Sequence, residues 1–299
     1  MRSARRRAVL ALCVLSAGAW IVPAPAQEAG SADLRVMSYN VRVGTAEDGD
    51  DDWDKRKDFL ASTIRAFAPD FLGTQETLDF QRDYLASQLP GYDSVGLARD
   101  AAHDDGEMMA VFYRRERFEK LAEGHFWLSE TPDVPGSSSW NSACPRMVTW
   151  VKLRDRRAPS APPIVFLNTH FDHESAEARR QAARMIRERV DALVAQGDSV
   201  VLTGDFNSSD RDAPYSAVFA PGENGRASAV ADTYRMLHPT PAAGEGTFSK
   251  FVATNRDGPR IDWIGVSHEW HVAEAGIEHA ARDGHTPSDH FGVTAVLRR

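Results

Sequence analysis

The segment IVFLNTHFDH, residues 164–173, joins an apolar run directly to a polar one. Its first four residues are aliphatic or aromatic, which is typical of a strand buried on both faces. Two histidines and an aspartate lie in the polar part, and such groups are unusual at a strand end unless they line a site. The segment therefore predicts an interior strand that delivers side chains to a functional site.

Similar apolar runs occur along the rest of the chain. Helical spacing predicts helices over 53–67, 80–89 and 176–195, which end near Pro69, Pro90 and Gly197. Several strands follow one another without a helix between them, which favours mixed or antiparallel sheets with helices outside over strict βαβ alternation. The predicted strands are 34–41, 70–74, 108–113, 147–153, 164–171, 200–203, 261–266 and 292–297.

The chain has 299 residues, of which 42% are apolar and 26% charged, so we expect one large α/β domain or at most two. Residues 1–26 combine a basic start, an apolar stretch and an Ala-x-Ala site before Gln27, which predicts a signal peptide. An uncleaved anchor is the alternative interpretation. We expect a catalytic domain over 27–299, no membrane span in the mature chain, a monomer, and export from a bacterial cell to the periplasm or the medium.

The net charge of the chain indicates which binding partners are favoured. The mature chain would carry 31 basic and 43 acidic residues, a net charge of −12. An acidic protein gains little from the release of phosphate counterions, so extended nucleic acid is not a favoured partner. A nuclease is still allowed, because catalysis needs only local positive charge. Cys144 is the only cysteine after the predicted leader, so no intramolecular disulfide is expected, and we predict an inert thiol.

Six predicted strands carry amide, carboxylate or imidazole groups near one end, and side-by-side strands would bring these groups to one rim. Hard oxygen ligands without thiolates suit Mg²⁺, Mn²⁺ or Ca²⁺. The chain has no H-E-x-x-H zinc motif, no G-x-S-x-G serine elbow and no Walker loop. The pattern therefore favours metal-assisted hydrolysis in which water attacks. The residues concerned are Asn40, Glu76, His170, Asp172, Asp205, Asn207, Asp262, Asp289 and His290.

Five motifs carry a resemblance to a known family. They are MSYN at 37–40, GTQE at 73–76, NTH at 168–170, TGDFN at 203–207, and the pair RIDWI at 260–264 with SDH at 288–290. Taken in order, they resemble the endonuclease/exonuclease/phosphatase superfamily, whose best-known member is deoxyribonuclease I. The chain looks like a secreted bacterial branch nearest the nocturnin and deadenylase group. The resemblance implies an α/β fold, a four-layer αββα sandwich with two mixed β-sheets.

The resemblance also implies a role for each motif residue. Asn40, Glu76 and Asp289 would be metal ligands, for Mg²⁺ or alternatively Mn²⁺. Asp205 would orient or deprotonate the attacking water, and Asn207 would contact the scissile phosphate.

His170 and His290 would face the phosphate, with Asp262 holding His290 and Glu107 orienting His170. A carboxylate bonded to imidazole favours the protonated ring, so both histidines are expected to be charged. For Glu107, a solvated loop acid is the alternative.

Three further residues are predicted to bind substrate. Arg146 matches the family more loosely than the motif residues, and the resemblance implies that it reaches a phosphate. Asn141 lies in the same segment, WNSACPR at 140–146, which is a candidate wall of the site. For Asp172 there are two alternative interpretations, contact with substrate and capping of a loop.

The predicted function is that of a secreted Mg²⁺-dependent phosphoesterase that hydrolyses a phosphodiester or phosphomonoester through metal-assisted attack of water. One alternative is nuclease or 3′–5′ exonuclease-like activity on nucleic acid. Another is a catalytically silent binding protein on the same fold, against which the intact motif residues speak. A carbohydrate hydrolase with paired carboxylates is disfavoured by the set of metal ligands and phosphate-facing histidines.

Overall fold

The computed structural model describes residues 33–100, 106–222 and 225–299, and the predicted signal peptide at 1–26 lies outside them. Within the described residues the chain forms twelve strands and five helices. The strands are β1 (Leu34–Asn40), β2 (Phe71–Thr77), β3 (Tyr92–Val95), β4 (Met108–Arg114), β5 (Phe118–Trp127), β6 (Met147–Asp155), β7 (Ile164–His170), β8 (Ser199–Asp205), β9 (Val230–Asp232), β10 (Asp262–Ser267), β11 (His271–Glu278) and β12 (Gly292–Arg298). The helices are α1 (Trp53–Phe67), α2 (Asp79–Gln88), α3 (Ala176–Ala195), α4 (Ala213–Phe219) and α5 (Thr233–Leu237).

The strands form two six-stranded sheets. The first has the order β11-β12-β1-β2-β4-β3 and the second β5-β6-β7-β8-β10-β9. Each sheet has one parallel pair, β1 with β2 and β7 with β8, and the remaining pairs are antiparallel. A helix lies between the strands of each parallel pair in the chain, α1 in one case and α3 in the other, because parallel neighbours need a long crossover. The prediction of mixed sheets is confirmed.

Three apolar clusters divide the molecule into four layers. One cluster lies between the sheets, where the rings of Phe71 and Phe166 stack with centroids 5.0 Å apart. A second joins the other face of the second sheet to α3, and a third joins the first sheet to α1 and α2. Alternation along β7 sends Ile164 and Phe166 to the central cluster and Val165 and Leu167 to the outer one. The predicted four-layer αββα sandwich is confirmed.

The two long helices begin and end where the sequence indicates. Ser175 caps α3 by accepting a hydrogen bond from the backbone N–H of Ala178, and Gly197 follows the helix at a φ of +89°. Helix α1 ends at Ala68, which takes a left-handed φ of +52° just before Pro69. Helix α3 packs its apolar stripe against β7 and β8 in the second cluster.

A buried polar contact fastens the two sheets at their centre. Asn168 on β7 donates to the backbone carbonyls of Thr74 (2.8 Å) and Ala110 (2.9 Å) in the opposite sheet. Its Oδ1 accepts hydrogen bonds from Gln75 Nε2 at 2.7 Å and Thr203 Oγ1 at 3.1 Å. The sheets approach so closely here that a Cβ at Gly73 would lie 2.6 Å from Asn168 Oδ1. We call this group, Gly73, Gln75, Asn168 and Thr203, the inter-sheet clasp.

The structure contains four strands that the sequence patterns do not predict, namely β3, β5, β9 and β11. They are the two edge strands of each sheet. In β5 the residues Glu119–Glu123 are mostly exposed, so the strand lacks the apolar alternation that marks its interior neighbours. The short helices α4 and α5 were also not predicted, because seven and five residues are too few to establish a helical period.

None of the helices in the described part of the chain is long and apolar enough to cross a membrane.

Candidate active site

A cavity of about 340 Å³ opens where the inner strands of the two sheets end. Its size is at the small end of the usual range for small-molecule sites. Eight of the twelve predicted site residues line it: Glu76, Glu107, Arg146, His170, Asp205, Asn207, Asp289 and His290. The others that line it are Arg42, Val43, Arg99, His173 and Phe248.

Asp205 lies at the centre of the polar cluster. Register pairs Asp205 with His170 on the parallel neighbour β7 and with Asp262 on the antiparallel neighbour β10. Paired residues point to the same face of a sheet, so the three side chains converge. Asp205 Oδ2 lies 3.4 Å from His170 Nε2 and 3.7 Å from His290 Nε2. Burial and the charge of Asp262 raise the pKa of Asp205 to about 7.

His290 is held by Asp262, as the family resemblance implies. The distance from Nδ1 to Asp262 Oδ2 is 2.9 Å, and both residues are buried. Burial alone would lower the pKa of His290, but the charges of Asp262 and Asp205 raise it well above the usual histidine value. His290 is therefore positioned as a charged donor that faces Asp205 and the cavity.

His170 differs from the prediction. Its Nε2 lies 3.0 Å from Asn207 Nδ2, and among the described residues its Nδ1 has no hydrogen-bond partner. Burial, together with the positive charges of Arg146 and Arg99, lowers its pKa well below the usual value. The structure therefore does not favour the charged His170 that the sequence predicts, because burial and the two guanidinium groups oppose a positive charge although Asp205 lies 3.4 Å from Nε2. In its neutral form, His170 can accept a hydrogen bond from Asn207 Nδ2 at Nε2 with its proton on Nδ1.

Glu107 does not orient His170. Its Oε1 instead accepts a hydrogen bond from Arg99 Nη2 at 2.7 Å. Glu107 and His170 line the same cavity, so the prediction placed Glu107 in the right site with the wrong partner. Burial raises the pKa of Glu107, although the charge of Arg99 opposes this shift.

The carboxylates of Glu76 and Asp289 also line the cavity. Glu76 accepts hydrogen bonds from the backbone N–H of Val43 (3.0 Å) and from Asn40 Nδ2 (2.9 Å). Asp289 Oδ2 lies 3.9 Å from Arg42 Nη1. Burial raises the pKa of Asp289, and the charge of Glu76 adds to that shift.

Asn40 links two carboxylates of the site through its amide N–H groups. Besides its bond to Glu76, its Nδ2 donates to Asp205 Oδ2 at 3.1 Å, while its Oδ1 accepts the backbone N–H of Arg42 at 3.0 Å. The amide oxygen has a second lone pair, so the role of Asn40 as a metal ligand stays a prediction.

The comparisons with known proteins agree with this geometry. The family model described as "Endonuclease/Exonuclease/phosphatase family" matches residues 37–290, which include Glu76, His170, Asp205 and His290. The chain belongs to the endonuclease/exonuclease/phosphatase family. The family consists of metal-dependent hydrolases of phosphate esters, phosphatases and nucleases among them, and membership assigns the chain to that class of enzyme.

Solved structures of other family members superpose over most of the chain. A mannosyl-6-phosphatase from Bacteroides thetaiotaomicron is 32% identical, with 89% of this chain and 100% of that chain covered and a TM-score of 0.79. A family protein from Bacteroides vulgatus is 33% identical, with 89% and 98% covered and a TM-score of 0.78. The human nocturnin catalytic domain shares the fold at 18% identity, with 89% and 93% covered and a TM-score of 0.68. An uncharacterised mimivirus protein is 27% identical over 172 residues, which are 53% of this chain and 60% of that protein's length.

The metal requirement of the endonuclease/exonuclease/phosphatase family fits the donors in this cavity. Carboxylate oxygens are the ligands that hard divalent cations prefer. A second group that could hold an ion consists of Asp205, Asp262 and His290, whose ligand atoms all lie within 4.8 Å of one another. Because His290 Nδ1 is already bonded to Asp262, we interpret this second group as a hydrogen-bonded cluster, and metal binding by Glu76 and Asp289 stays a prediction.

The three residues predicted to bind substrate differ in where the structure places them. Arg146 lines the cavity, and its Nη1 is buried without a partner in the described structure. Asp172 is buried beside Arg146 and accepts hydrogen bonds from the N–H groups of Ala143 and Ser175 and the hydroxyl of Ser142. These donors occupy its oxygens, so the loop-capping alternative describes Asp172 and the substrate contact does not.

Asn141 is exposed and does not line the cavity, so the structure does not bring it to the predicted site.

Two arginines are among the cavity residues that were not predicted, Arg42 and Arg99. Arg42 lies two residues after Asn40, and that proximity is a signal that could have identified it. Arg99 lies far from every motif, and only the folded chain brings it to the cavity.

Two site residues hold strained backbone conformations. Glu76 has a φ of +57° and Asn207 a φ of +46°, values that side chains other than glycine adopt only in a minority of cases. Such strain costs on the order of 1–3 kcal/mol at each position and persists where the surrounding structure enforces it. Glu76 is the last but one residue of β2, Asn207 lies two residues after β8, and both line the cavity.

Proposed function

We propose that the protein is an exported phosphatase that hydrolyses small phosphate monoesters, with sugar phosphates as the substrate class. The observation that carries this proposal is that carboxylates and guanidinium groups line the same cavity. Glu76 and Asp289 supply oxygen donors for a divalent cation, and Arg99 and Arg146 supply guanidinium groups. A phosphate ester bound in the cavity would have its charge neutralised by both the cation and the guanidinium groups.

Mg²⁺ is the cation we propose, with Mn²⁺ as the alternative, because the donors are carboxylates and lack thiolates. When bound, it would act as a Lewis acid that polarises a phosphoryl oxygen. Asn40 would keep Glu76 in place through the 2.9 Å hydrogen bond.

The protein's own residues would perform the proton chemistry. Asp205, with its raised pKa, is suited to orient a water molecule and take up its proton as the water attacks phosphorus. His290, charged and held by Asp262, would donate to an oxygen that gains negative charge. Asn207 and the neutral His170 would supply further hydrogen bonds to the phosphoryl group.

Three considerations support a small monoester substrate. The Bacteroides mannosyl-6-phosphatase, a phosphatase by its description, is 32% identical and matches over its whole length. A cavity of about 340 Å³ is of a size for one small molecule. The net charge of −8 for the whole chain does not favour a long polyanion such as nucleic acid.

Export is part of the proposal and rests on the leader alone. The arginine cluster, apolar stretch and Ala24-Pro25-Ala26 site support removal of residues 1–26. The intact mass of the protein isolated from its native host should correspond to a start at Gln27 or within a residue or two. Recovery of the full-length protein from the cytoplasm would contradict export.

The substrate proposal is tested with purified protein beginning at Gln27 in the presence of Mg²⁺ or Mn²⁺. Phosphate release is measured from mannose 6-phosphate, glucose 6-phosphate and p-nitrophenyl phosphate, and hydrolysis of bis-p-nitrophenyl phosphate, DNA and RNA is measured in parallel. We expect turnover of the monoesters, with the variant Asp205→Asn as the inactive control. Turnover of only diesters or nucleic acid would replace this proposal with the diesterase or nuclease alternative.

A further inference from the structure

Two arginines in the cavity have buried N–H groups without partners. Arg99 is 9% exposed and Arg146 is 4% exposed. Among the described residues, Arg99 Nε and Nη1 and Arg146 Nη1 have no hydrogen-bond partner. The carboxylate of Asp100 lies 4.0 Å from Arg99 Nε, too far for a hydrogen bond. Buried donors are almost always paired in folded proteins, so these atoms indicate a ligand that supplies acceptors.

Each guanidinium is fixed by a protein acceptor that leaves other nitrogens free. Arg99 Nη2 donates to Glu107 Oε1 at 2.7 Å, and Arg146 Nη2 lies 2.7 Å from His173 Nδ1. The backbone N–H of Arg99 also donates to the carbonyl of Glu107 at 2.9 Å, and Arg99 accepts from Trp127 Nε1 at 2.8 Å. The position of Arg99 is thus set at the backbone and at one end of its side chain.

We propose that Arg99 and Arg146 form an anion clamp for the terminal phosphoryl oxygens of a monoester, with Glu107 as the positioning residue of Arg99. The inference rests on the proposed function and adds a reason why the enzyme would select phosphate monoesters over diesters. A monoester phosphate carries a charge of about −1.5 to −2 near neutral pH and three oxygens free to accept. A diester carries one charge and has a second ester group where the third oxygen would be. The clamp therefore favours monoesters over diesters.

The clamp explains why Glu107 lies in the cavity without contact to either catalytic histidine. A planar guanidinium holds its N–H groups in fixed directions, so its orientation decides which acceptors it can meet. Glu107 sets this orientation through Nη2 and leaves the N–H groups of Nε and Nη1, which point in different directions, for separate acceptor atoms of the ligand.

The test compares Arg99→Ala, Arg99→Lys and Glu107→Gln with the wild-type protein, all in Mg²⁺. Arg115→Ala is the matched control, because Arg115 is an exposed arginine that pairs with Asp93. For each protein, kcat/KM is measured on p-nitrophenyl phosphate and on bis-p-nitrophenyl phosphate, and the affinity for inorganic phosphate is measured by calorimetry. Thermal melts establish that each variant is folded.

We expect Arg99→Ala to lower kcat/KM on the monoester by about tenfold to a hundredfold more than on the diester, and to weaken phosphate binding by a similar factor. Arg99→Lys should lose less kcat/KM and phosphate affinity than Arg99→Ala but should not reach the wild-type values, because one ammonium group cannot replace the planar guanidinium donors Nε and Nη1. Glu107→Gln should raise KM and weaken phosphate binding with little effect on kcat. Arg115→Ala should match the wild-type protein.

Equal losses on both esters, or unchanged phosphate affinity in Arg99→Ala, would overturn the clamp. Failure of the wild-type protein to bind phosphate would overturn it as well. If Arg99→Ala does not fold, the same comparison of monoester with diester kcat/KM, and of phosphate affinity, is made with Arg99→Lys and Glu107→Gln. Failure of the proposed function is a separate outcome, because a wild-type protein that binds phosphate through Arg99 but releases none from any monoester contradicts only the phosphatase.

Discussion

Asn168 on β7 accepts a hydrogen bond from Gln75 on β2 across the space between the two sheets, at 2.7 Å. Both residues belong to motifs, NTH and GTQE, that each have one member in the cavity lining, His170 and Glu76. The motif residues therefore have two roles, one in the active site and one in joining the sheets. Glu76 and His170 face the cavity, whereas Gln75 and Asn168 hold together the sheets that carry them.

The inter-sheet clasp should be sensitive to substitution. Asn168→Leu would remove the donor to two buried backbone carbonyls and one of the two acceptors of Gln75, which keeps Ser38, at a cost of about 1–3 kcal/mol for each group left unpaired. Gly73→Ala should also destabilise, because its Cβ would overlap Thr203 and Asn168. The free energy of unfolding in urea measures both effects. Gly276→Ala on edge strand β11 is the control, since its Cβ would meet only Thr294 Oγ1 at 3.5 Å, and a similar loss there would contradict the clasp.

The pair of Asp262 and His290 should affect catalysis more than stability. His290→Ala removes a charged donor to the reacting phosphate, and the loss of one such donor typically lowers kcat by about 10² to 10³. Asp262→Asn should give a smaller loss, because it removes the charge that favours protonated His290 but keeps the ring. Melting temperature and kcat are measured on the same samples. A His290→Ala variant with near wild-type kcat would exclude this residue from the mechanism.

The two histidines should titrate in opposite directions in metal-free protein. The pKa of His170 is lowered by burial and two arginines, whereas the pKa of His290 is raised by Asp262 and Asp205. Close to the ordinary histidine pKa of about 6.5, His290 should be protonated and His170 neutral. The ring ¹⁵N chemical shifts distinguish these states. Protonation of both rings at that pH would restore the original sequence prediction and contradict the structure.

The carboxylate of Asp172 should stabilise the fold in a pH-dependent way. Burial would raise its pKa, but hydrogen bonds from Ser175 and Ser142 and the charge of Arg146 outweigh this and lower it. Because the folded pKa is below the unfolded value of about 3.9, the stabilisation is present above that pH and is lost as pH falls through the folded pKa. Asp172→Asn should therefore reduce stability at neutral pH, and the difference should shrink in acid. A difference independent of pH would contradict an ionised cap.

Metal dependence should follow from Glu76 and Asp289. Excess EDTA should abolish turnover, and added Mg²⁺ or Mn²⁺ should restore it. Glu76→Ala should raise the metal concentration needed for half-maximal rate and lower the maximal rate, because one carboxylate donor is lost. Glu119→Ala is the control, since Glu119 lies on edge strand β5, pairs with Arg154 and does not line the cavity. Full activity in EDTA would refute the metal assignment.

The sequence by itself determined the interior of this protein. All eight inner strands and the three longest helices were predicted, because residues buried on both faces, or along one helical stripe, leave a periodic apolar pattern. The order of motifs predicted the family, and eight of twelve site residues line the cavity. Residues at the ends of paired inner strands converge as a direct consequence of register, and that is why Asp205, His170 and Asp262 could be found without coordinates.

Only the tertiary structure decided the edge strands and the partners within the site. An edge strand is defined by the neighbour on one side, so β3, β5, β9 and β11 carry little pattern of their own. The pairing of Glu107 with Arg99 instead of His170, and the orientation of Asn40, depend on which donors and acceptors meet after folding. A hydrogen bond forms only when donor and acceptor atoms come within about 3 Å of each other. Which atoms do so depends on the positions of whole strands and loops, which no local stretch of sequence specifies.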